Sequence, residues 1–309
     1  MPHNTLFDDT DAVKSHILSL KKEKKAVILA HNYQLGEVQD IADFTGDSLE
    51  LSQQAAQTDA EVIVFCGVHF MAEIACILSP KKTVLLPDRN AGCPMANMIT
   101  ATGLKKKKAE LPNATVVCYV NTTADVKAES DICCTSANAV KVVASLPDRQ
   151  ILFVPDQYLG HYVSTKLDKE FILWPGYCPT HAGILPEHII RLKEEYPQAK
   201  AVVHPECRPE VIQIADEVLS TGGMCRYASR DDVSQLIVGT EIGILYRLRK
   251  ENPDKKFIPV SEQAICVDMK LINLRKVLRS LEEMAPVVNV PEEIRLRAKK
   301  AVDRMLEVV

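Results

Sequence analysis

Short runs of apolar residues recur along the chain, and stretches with helical spacing separate them. Three of these runs, at residues 26–30, 115–119 and 201–203, begin blocks of similar layout. Equivalent valines in the three runs are 89 and 86 residues apart: Val27, Val116 and Val202. A recurrence of this kind predicts an internal repeat with three copies.

Each block continues with two more apolar runs that are short enough to be strands. They cover residues 62–65 and 83–86, then 151–154 and 171–173, then 235–238 and 257–260. Strands that alternate with helical patterns predict βαβ units and parallel sheets. We therefore predict an α/β protein of three similar αβα-sandwich domains, related by pseudo-threefold symmetry around a central cavity.

The same repeat predicts the domain limits, which are 1–95, 96–180 and 181–269. A helical pattern over residues 11–24 precedes the first strand, and Pro291 begins another near the end. We expect the C-terminal segment 270–309 to pack on the first repeat.

Polar side chains follow the first strand of each block. These are His31 and Tyr33, Tyr119 and Asn121, and His204 and Glu206. The loops after parallel strands share one edge of a sheet, where α/β folds bind ligands. If the three edges face one another, these side chains meet at the centre. Together with His181, they offer hydrogen-bonding groups, and Glu206 can abstract protons.

Each block ends in a loop that carries a cysteine: Cys93, Cys178 and Cys266. Equivalent placement predicts three converging thiolates, a soft site that suits an iron–sulfur cluster or zinc. Three ligands leave one iron of a four-iron cluster open, which favours catalysis over electron transfer. We interpret the other seven cysteines as core or supporting positions, with Cys133 and Cys134 in a helical context. The spacing of the cysteines is also compatible with a zinc site.

Small polar turns precede a helical pattern in each block. Ser48, Ser136 and the pair Ser220 and Thr221 are therefore predicted at helix N-termini. Free backbone N–H groups and the helix dipole at such ends attract carboxylates and phosphates. Three such termini around one cavity favour a substrate with several negative charges.

Composition narrows the functional classes. The chain has 37 Lys+Arg against 41 Asp+Glu, a net charge of −4, which gives no reason to expect nucleic acid or an anionic membrane as partner. The apolar runs are too short to span a bilayer, and residues 1–5 lack the features of a signal peptide. We therefore predict a cytoplasmic protein. A Gly-x-Gly-x-x-Gly fingerprint is absent from the sequence, so dinucleotide binding is not supported.

Ten short motifs lie in order along nearly the whole chain. They are His31-Asn-Tyr33, Gly46-Asp-Ser48, Gly67-Val-His-Phe-Met71, Gly92-Cys93-Pro-Met-Ala-Asn97, Cys118-Tyr119-Val-Asn121-Thr, Thr135-Ser136-Ala-Asn138, Gly176-Tyr-Cys178-Pro-Thr-His181, His204-Pro-Glu206-Cys, Ser220-Thr221-Gly-Gly-Met224 and Cys266-Val-Asp-Met-Lys270. Together they resemble the quinolinate synthases, the iron–sulfur enzymes of bacterial and archaeal NAD biosynthesis. The resemblance is to the short form, without the C-terminal Cys-x-x-Cys pair that some members carry.

The resemblance implies three αβα domains around a 4Fe–4S cluster with three ligands, Cys93, Cys178 and Cys266. It implies a condensation of iminoaspartate with dihydroxyacetone phosphate to quinolinate, phosphate and two waters, with an open iron as Lewis acid. An enzyme that makes iminoaspartate, an aspartate oxidase or dehydrogenase, is the implied functional partner.

The same resemblance implies roles for individual residues. Tyr33, Glu206 and His181 match the catalytic set. The residues matched to substrate binding are His31, Ser48, Tyr119, Asn121, Ser136, His204, Ser220 and Thr221.

Two other functions are compatible with the residues when the family is set aside. One is a non-catalytic iron–sulfur or zinc-binding sensor, although the sequence has no basic patch that would support a DNA-binding regulator. The other is a zinc-dependent lyase or aldolase with a cysteine-rich site. Metal and sulfide content would separate these alternatives.

Overall fold

A computed structural model describes residues 10–308 of the chain. Residues 1–5, which we interpreted as unlike a signal peptide, lie outside that range. Within it, twelve strands form three parallel sheets of four strands each. The strands are β1 (Ala26–His31), β2 (Phe44–Gly46), β3 (Val62–Cys66), β4 (Thr83–Leu85), β5 (Thr115–Tyr119), β6 (Ile132–Cys134), β7 (Ile151–Val154), β8 (Phe171–Leu173), β9 (Lys200–Val203), β10 (Glu217–Val218), β11 (Gln235–Gly239) and β12 (Lys256–Pro259).

The three sheets have the same strand order, which confirms the predicted fold class. Each sheet begins with its second strand at the edge, as in β2-β1-β3-β4, and the other two are β6-β5-β7-β8 and β10-β9-β11-β12. Helices alternate with the strands along the chain, so each sheet belongs to an αβα unit. The domain boundaries at 95 and 180 stay a prediction.

The helices have the following bounds: α1 (Thr10–Glu23), α2 (Gly36–Ile41), α3 (Ser48–Gln57), α4 (His69–Leu78), α5 (Ala101–Glu110), α6 (Ala124–Ala128), α7 (Ala139–Ala144), α8 (Gln157–Ser164), α9 (Pro179–Ala182), α10 (Pro186–Glu195), α11 (Pro209–Ile214), α12 (Thr221–Ala228), α13 (Ile244–Glu251), α14 (Leu274–Glu283) and α15 (Glu292–Glu307). Short 3-10 turns cover Ala96–Met98 and Met269–Leu271. The described helices are each too short or too polar to cross a membrane.

The central strands are buried on both faces. All five residues of β3 are buried, and Ile28 and Leu29 of β1 have no exposed surface. Parallel sheets covered by helices on both sides read as continuous apolar runs, which is why the pattern of the sequence revealed them. Each fully buried Val, Leu or Ile contributes about 1.5–3 kcal/mol of transfer free energy, so the core strands hold each repeat together.

An aspartate repeats at the same place in each sheet. The side chains of Asp43, Asp131 and Asp216 accept a hydrogen bond from the backbone N–H of the residue 15 positions earlier, each at 2.8 Å. Their own N–H groups donate to the carbonyl oxygens of those same residues. Each aspartate therefore ties the start of an edge strand to the first strand of its repeat. The same pair of hydrogen bonds thus recurs at the equivalent position of all three repeats.

The edge strands β2, β6 and β10 are absent from the sequence-based prediction. They have two or three residues each, too few to establish a period of two. As a consequence, the helical context expected for Cys133 and Cys134 is wrong, because both lie in β6. Backbone pairing with β5 forms that strand, and a three-residue apolar run does not encode its partner.

The C-terminal segment forms two helices that pack on different repeats. Helix α14 lies against α1 and β3. Helix α15 lies mainly against α6 and β6 of the second repeat and less against α4, so packing on the first repeat accounts for only part of its contacts. Two hydrogen bonds join α15 to the second repeat: Arg297 donates to the carbonyl of Ala128 at 3.1 Å, and Asn138 donates to the carbonyl of Met305 at 3.3 Å. An apolar stripe shows that a helix is covered but not which surface covers it.

Candidate active site

The loops that follow the strands of the three sheets meet around one cavity. It contains about 640 Å³ of space, with its open mouth included. All the predicted site residues line it except Ser220. They are His31, Tyr33, Ser48, Cys93, Tyr119, Asn121, Ser136, Cys178, His181, His204, Glu206, Thr221 and Cys266. The cavity therefore lies at the edge where parallel α/β sheets bind ligands.

The carboxylate of Glu206 has three polar side-chain partners in the cavity. Its Oε2 lies 2.7 Å from Nδ1 of His181, and its Oε1 accepts hydrogen bonds from Tyr119 at 2.5 Å and Asn121 at 3.3 Å. Burial opposes its ionisation, but the electrostatic interaction and hydrogen bond with His181, together with the contacts to His204 and Tyr119, hold the pKa of Glu206 below its ordinary value. The carboxylate is thus ionised and held from the second and third repeats.

Two histidines have the same geometry in different repeats. Nδ1 of His31 accepts the backbone N–H of Tyr33 at 3.2 Å, and Nδ1 of His204 accepts that of Glu206 at 3.3 Å. Burial is the main cause that lowers the pKa of His31 and His204 to about 3, so both rings are neutral. A neutral ring that accepts at Nδ1 carries its proton on Nε2. Both rings therefore offer an N–H donor, which for His204 lies 3.2 Å from Ser136 Oγ.

Tyr33 lies opposite Glu206, with His181 and a threonine between them. Its hydroxyl hydrogen-bonds Thr240 Oγ1 and lies 3.4 Å from Nε2 of His181. The same Nε2 is 2.8 Å from Thr240 Oγ1. Burial is the main cause that raises the pKa of Tyr33 well above its ordinary value, so the phenol keeps its proton.

The sequence-based prediction missed three residues in or next to the cavity, namely Thr240, Glu241 and Lys270. Glu241 lines the cavity, is buried, and accepts the backbone N–H of Cys266 at 3.1 Å. Lys270 lies 3.0 Å from Glu241 and also donates to the backbone carbonyl of Tyr33. Thr240 and Glu241 directly follow β11, just as the predicted polar pairs follow β1, β5 and β9. Extending that rule to the second strand of each repeat would have found both.

The three serine turns lie at or next to helix N-termini. Asp47 caps α3 in a capping box with Glu50, so Ser48 is the first helical residue and lines the cavity. Ser136 lies in the turn before α7, whose N-cap is Asn138. Ser220 instead caps α12, where it accepts the N–H of Gly223 at 3.1 Å and donates to Asp47.

The surroundings of Ser220 differ from those of Ser48, and its role in substrate binding stays a prediction. As the N-cap residue, its hydroxyl is engaged by the helix backbone and by the carboxylate of Asp47, so it is not among the cavity-lining residues. The neighbouring Thr221 is the residue of this turn that lines the cavity. The sequence places both in the same turn but does not tell which one faces the ligand.

The three predicted ligand cysteines come from the loops after the last strand of each sheet. The backbone N–H group three residues later acts to lower the pKa of each thiol: Ala96 for Cys93, His181 for Cys178 and Met269 for Cys266. Burial is the main cause that raises the pKa of Cys93 to about 12 and that of Cys266 to about 11, and it raises that of Cys178 strongly. The thiols are neutral without a metal, and a metal that binds them would displace their protons.

The spacing of the sulfurs bears on which metal they suit. Within residues 10–308, the set of three ligand atoms that lie within 4.8 Å of one another is Cys178, His181 and Glu206, and the three cysteines do not form such a set. One zinc ion with Zn–S bonds of about 2.3 Å keeps its sulfur ligands within about 4.6 Å of one another. The chemistry of three soft sulfur donors suits an iron–sulfur cluster or zinc.

Comparison with known proteins decides the family. The family model described as quinolinate synthetase A protein (NadA) matches residues 15–307. This chain belongs to the quinolinate synthetase A family.

Curated relatives agree with this family over nearly the full length. A quinolinate synthase of Dehalococcoides mccartyi (strain CBDB1) is 66% identical over 299 residues, which cover 97% of this chain and 99% of the relative. One of Geobacter metallireducens is 58% identical over 298 residues, covering 96% and 98%. One of the archaeon Methanosarcina barkeri is 56% identical over 292 residues, covering 94% and 96%. The chain is therefore an enzyme of the quinolinate synthase type.

Proposed function

We propose that this enzyme condenses iminoaspartate with dihydroxyacetone phosphate to give quinolinate, inorganic phosphate and two waters. These products account for every atom of the two substrates. The observation that carries the proposal is the single cavity in which the three repeat cysteines face the pair formed by His181 and Glu206. Family membership over residues 15–307 supports the same reaction.

We propose that Cys93, Cys178 and Cys266 hold a 4Fe–4S cluster. Three soft sulfur donors from equivalent loops, all lining one cavity, support this ligand set. When bound, a cluster with three protein ligands supplies an open iron that acts as a Lewis acid on a substrate oxygen. The cavity is lined by the same three residues, so a substrate inside it would lie next to that iron.

The substrates of the proposed reaction carry two carboxylates and a phosphate, and the cavity has donors for them. The neutral rings of His31 and His204 each present an Nε2–H group. Ser48 and Thr221 are the first residues of α3 and α12, where backbone N–H groups and the helix dipole favour anions. The proposed substrate-binding set also contains Tyr119, Asn121, Ser136 and Ser220.

The proposed general base and general acid are Glu206 and Tyr33. Glu206 is ionised and buried, so it can accept a proton during enolisation or imine formation. Tyr33 keeps its proton and can donate it to a developing oxyanion or leaving hydroxyl. His181 contacts Glu206, Thr240 and Cys178, and it holds the acid–base groups beside the proposed cluster.

The proposed reaction also implies a partner and a place in metabolism. Iminoaspartate must be made by oxidation of aspartate, so we propose an aspartate oxidase or dehydrogenase as the functional partner. Quinolinate is a pyridine precursor of NAD, and we propose that the enzyme serves NAD biosynthesis in the cytoplasm. Neither nucleic acid nor a membrane has a place in this proposal.

The decisive experiment is anaerobic reconstitution followed by product analysis. Protein loaded with iron and sulfide should contain about four irons per chain, as a cubane requires, and should form quinolinate from the two substrates. Zinc without acid-labile sulfide in protein purified without oxygen would favour a zinc lyase. A fully loaded cluster that yields no quinolinate would contradict the reaction and favour a sensor.

A further inference from the structure

The three proposed ligand cysteines line two spaces. One is the central cavity, and the other is a wider outer groove that contains about 1700 Å³ of space, with its open side included. The described residues that line both are Cys93, Cys178, Thr180 and Cys266. Thr180 donates to the backbone carbonyl of Ile265 at 3.5 Å, which joins the loops of the second and third cysteines. The sulfurs therefore lie in the wall between the cavity and the outer groove.

Access from the surface separates these cysteines from the others. Cys93, Cys178 and Cys266 are partly exposed, whereas the other seven cysteines of the chain are buried. The proposed acid–base groups line the central cavity and not the outer groove. The outer groove thus reaches the ligand sulfurs without passing through the part of the site where substrate would react.

An exposed apolar residue follows each of the three cysteines. These residues are Pro94, Pro179 and Val267, and all three line the outer groove, as does Ile265, which is 40% exposed. Pro179 also has a local role as the first residue of α9. Val267 is 71% exposed, more than the other large apolar residues of the described chain, so core packing does not explain it. We call Pro94, Pro179, Ile265 and Val267 the outer rim.

The charges of the outer groove do not favour a small ion as its occupant. Arg191 and His188 of α10 line it together with Glu262 and Asp268, which lie near the third cysteine. Neither sign predominates, so the groove lacks a field that would concentrate a small anion or cation. Exposed apolar residues with mixed charges around them are typical of a surface that contacts another protein.

The two spaces also differ in what they can admit. The central cavity, at about 640 Å³ with its mouth included, has the size of a site for small molecules. A protein segment that carries a metal cluster does not fit into it. Iron–sulfur clusters are held by thiolates, so a preformed cluster comes to this chain on the thiolates of another protein. Such a protein can approach the three sulfurs from the outer groove.

A second copy of this chain fits the outer rim less well. A stable dimer buries about 800 Å² on each partner, and four apolar residues around a groove are a small set for such an interface. A permanent cover would also close the sulfurs off from the surface. A transient protein partner meets neither difficulty.

We propose that the outer rim is the docking surface for a protein that donates an iron–sulfur cluster, and that Cys93, Cys178 and Cys266 accept the cluster from this side. The inference rests on the proposed cofactor. Each of the three sulfurs binds an iron as that iron's bond to a donor thiolate breaks, and the thiol proton passes to the released thiolate. A fourth donor ligand, where there is one, is replaced by water. Bonds and protons balance, and no electron is transferred.

Cluster transfer to the metal-free, full-length chain tests the docking surface. The probe is an A-type carrier protein loaded with a 4Fe–4S cluster, and visible circular dichroism follows the appearance of the cluster in this chain. The variants Val267→Asp and Ile265→Asp each place a charge in the outer rim. Val287→Asp is the matched control, because Val287 is 44% exposed and does not line the groove.

Both rim variants should differ from the wild type with one source of cluster only. We expect them to load from the carrier about tenfold more slowly, because a charge replaces an apolar contact within a small interface. With free iron and sulfide they should load as fast and as fully as the wild type, since small ions need no docking surface. Their melting temperatures should be unchanged, and Val287→Asp should match the wild type with both sources.

Three results would overturn the docking surface. One is carrier loading that is equally fast in the wild type and both rim variants. Another is equal slowing with the carrier and with free iron and sulfide, because the substitutions would then act on the ligand loops. The third is a wild-type chain that loads from free iron and sulfide but not from the carrier. A dimer of the chain that Val267→Asp makes monomeric would assign the rim to a second copy instead.

The same experiment keeps this inference apart from the proposed reaction. A wild-type chain that loads from the carrier and forms no quinolinate would contradict the reaction and leave the docking surface in place. A chain that takes up zinc but no cluster from either source would overturn both the proposed cofactor and the docking surface.

Discussion

Nδ1 of His181 lies 2.7 Å from Oε2 of Glu206, and both side chains are almost completely buried. His181 follows the last strand of the second sheet, and Glu206 follows the first strand of the third. The contact therefore joins the loop after β8 to the loop after β9 in the cavity wall. A buried carboxylate with three hydrogen-bond donors is held in one orientation, which is what a proton acceptor beside a substrate requires.

Replacing Glu206 tests this arrangement. Glu206→Gln removes the proton acceptor and keeps the size of the side chain, so kcat should fall by about 10²–10⁴-fold, the usual range for loss of an acid–base group. Iron content should stay at the wild-type level, since Glu206 is not among the proposed ligands. Glu210→Gln, an exposed residue of α11, is the matched control and should keep full activity. Equal rates for the Glu206 variant and the wild type would remove Glu206 from the chemistry.

The cysteines separate into proposed ligands and core residues. Cys178→Ala should lose most of its iron and the associated absorbance, because one of three proposed ligands is missing. Cys133→Ala should keep iron and activity, since Cys133 is fully buried in β6 and is absent from the cavity lining. Iron and sulfide analysis of both variants checks this. A colourless Cys133→Ala protein would show that the ligand set is wrong.

Substitutions of two serines in similar turns should have different effects, one on substrate binding and the other on stability. Ser48→Ala should raise KM and leave iron content and stability close to wild type, because Ser48 lines the cavity. Ser220→Ala should lower the free energy of unfolding by about 1 kcal/mol through loss of an N-cap, with a smaller change in KM. Kinetics and urea unfolding of the two variants give the comparison. A KM effect confined to Ser220→Ala would reverse this assignment.

The repeated aspartates should matter for stability in the same way in every repeat. Asp131→Ala leaves the backbone N–H of Val116 without its acceptor, so the free energy of unfolding should fall by about 1–3 kcal/mol. Asp148→Ala, with a side chain that is 93% exposed, is the control and should change it by less than about 0.5 kcal/mol. Denaturant melts of the metal-free proteins measure both. An Asp131 variant as stable as the control would show that these contacts contribute nothing.

The sequence predicted the long buried strands and the polar groups that follow them, because their apolar runs and their recurrence are local. It did not predict β2, β6 and β10, whose two or three residues become strands through pairing with a neighbour. It also missed Lys270, since a single lysine carries no signal until the fold brings it to Tyr33.

By itself, the sequence determined the threefold α/β architecture and the residue types that meet at its centre, because hydrophobic periodicity and equivalent repeat positions are written along the chain. The tertiary structure decided which groups touch. It made Ser220 a helix cap, placed α15 mainly on the second repeat, and aligned Tyr33, Thr240, His181 and Glu206 in one chain of hydrogen bonds. Hydrogen bonds act over about 3 Å, and such distances between residues far apart in sequence exist only after the three domains have packed together.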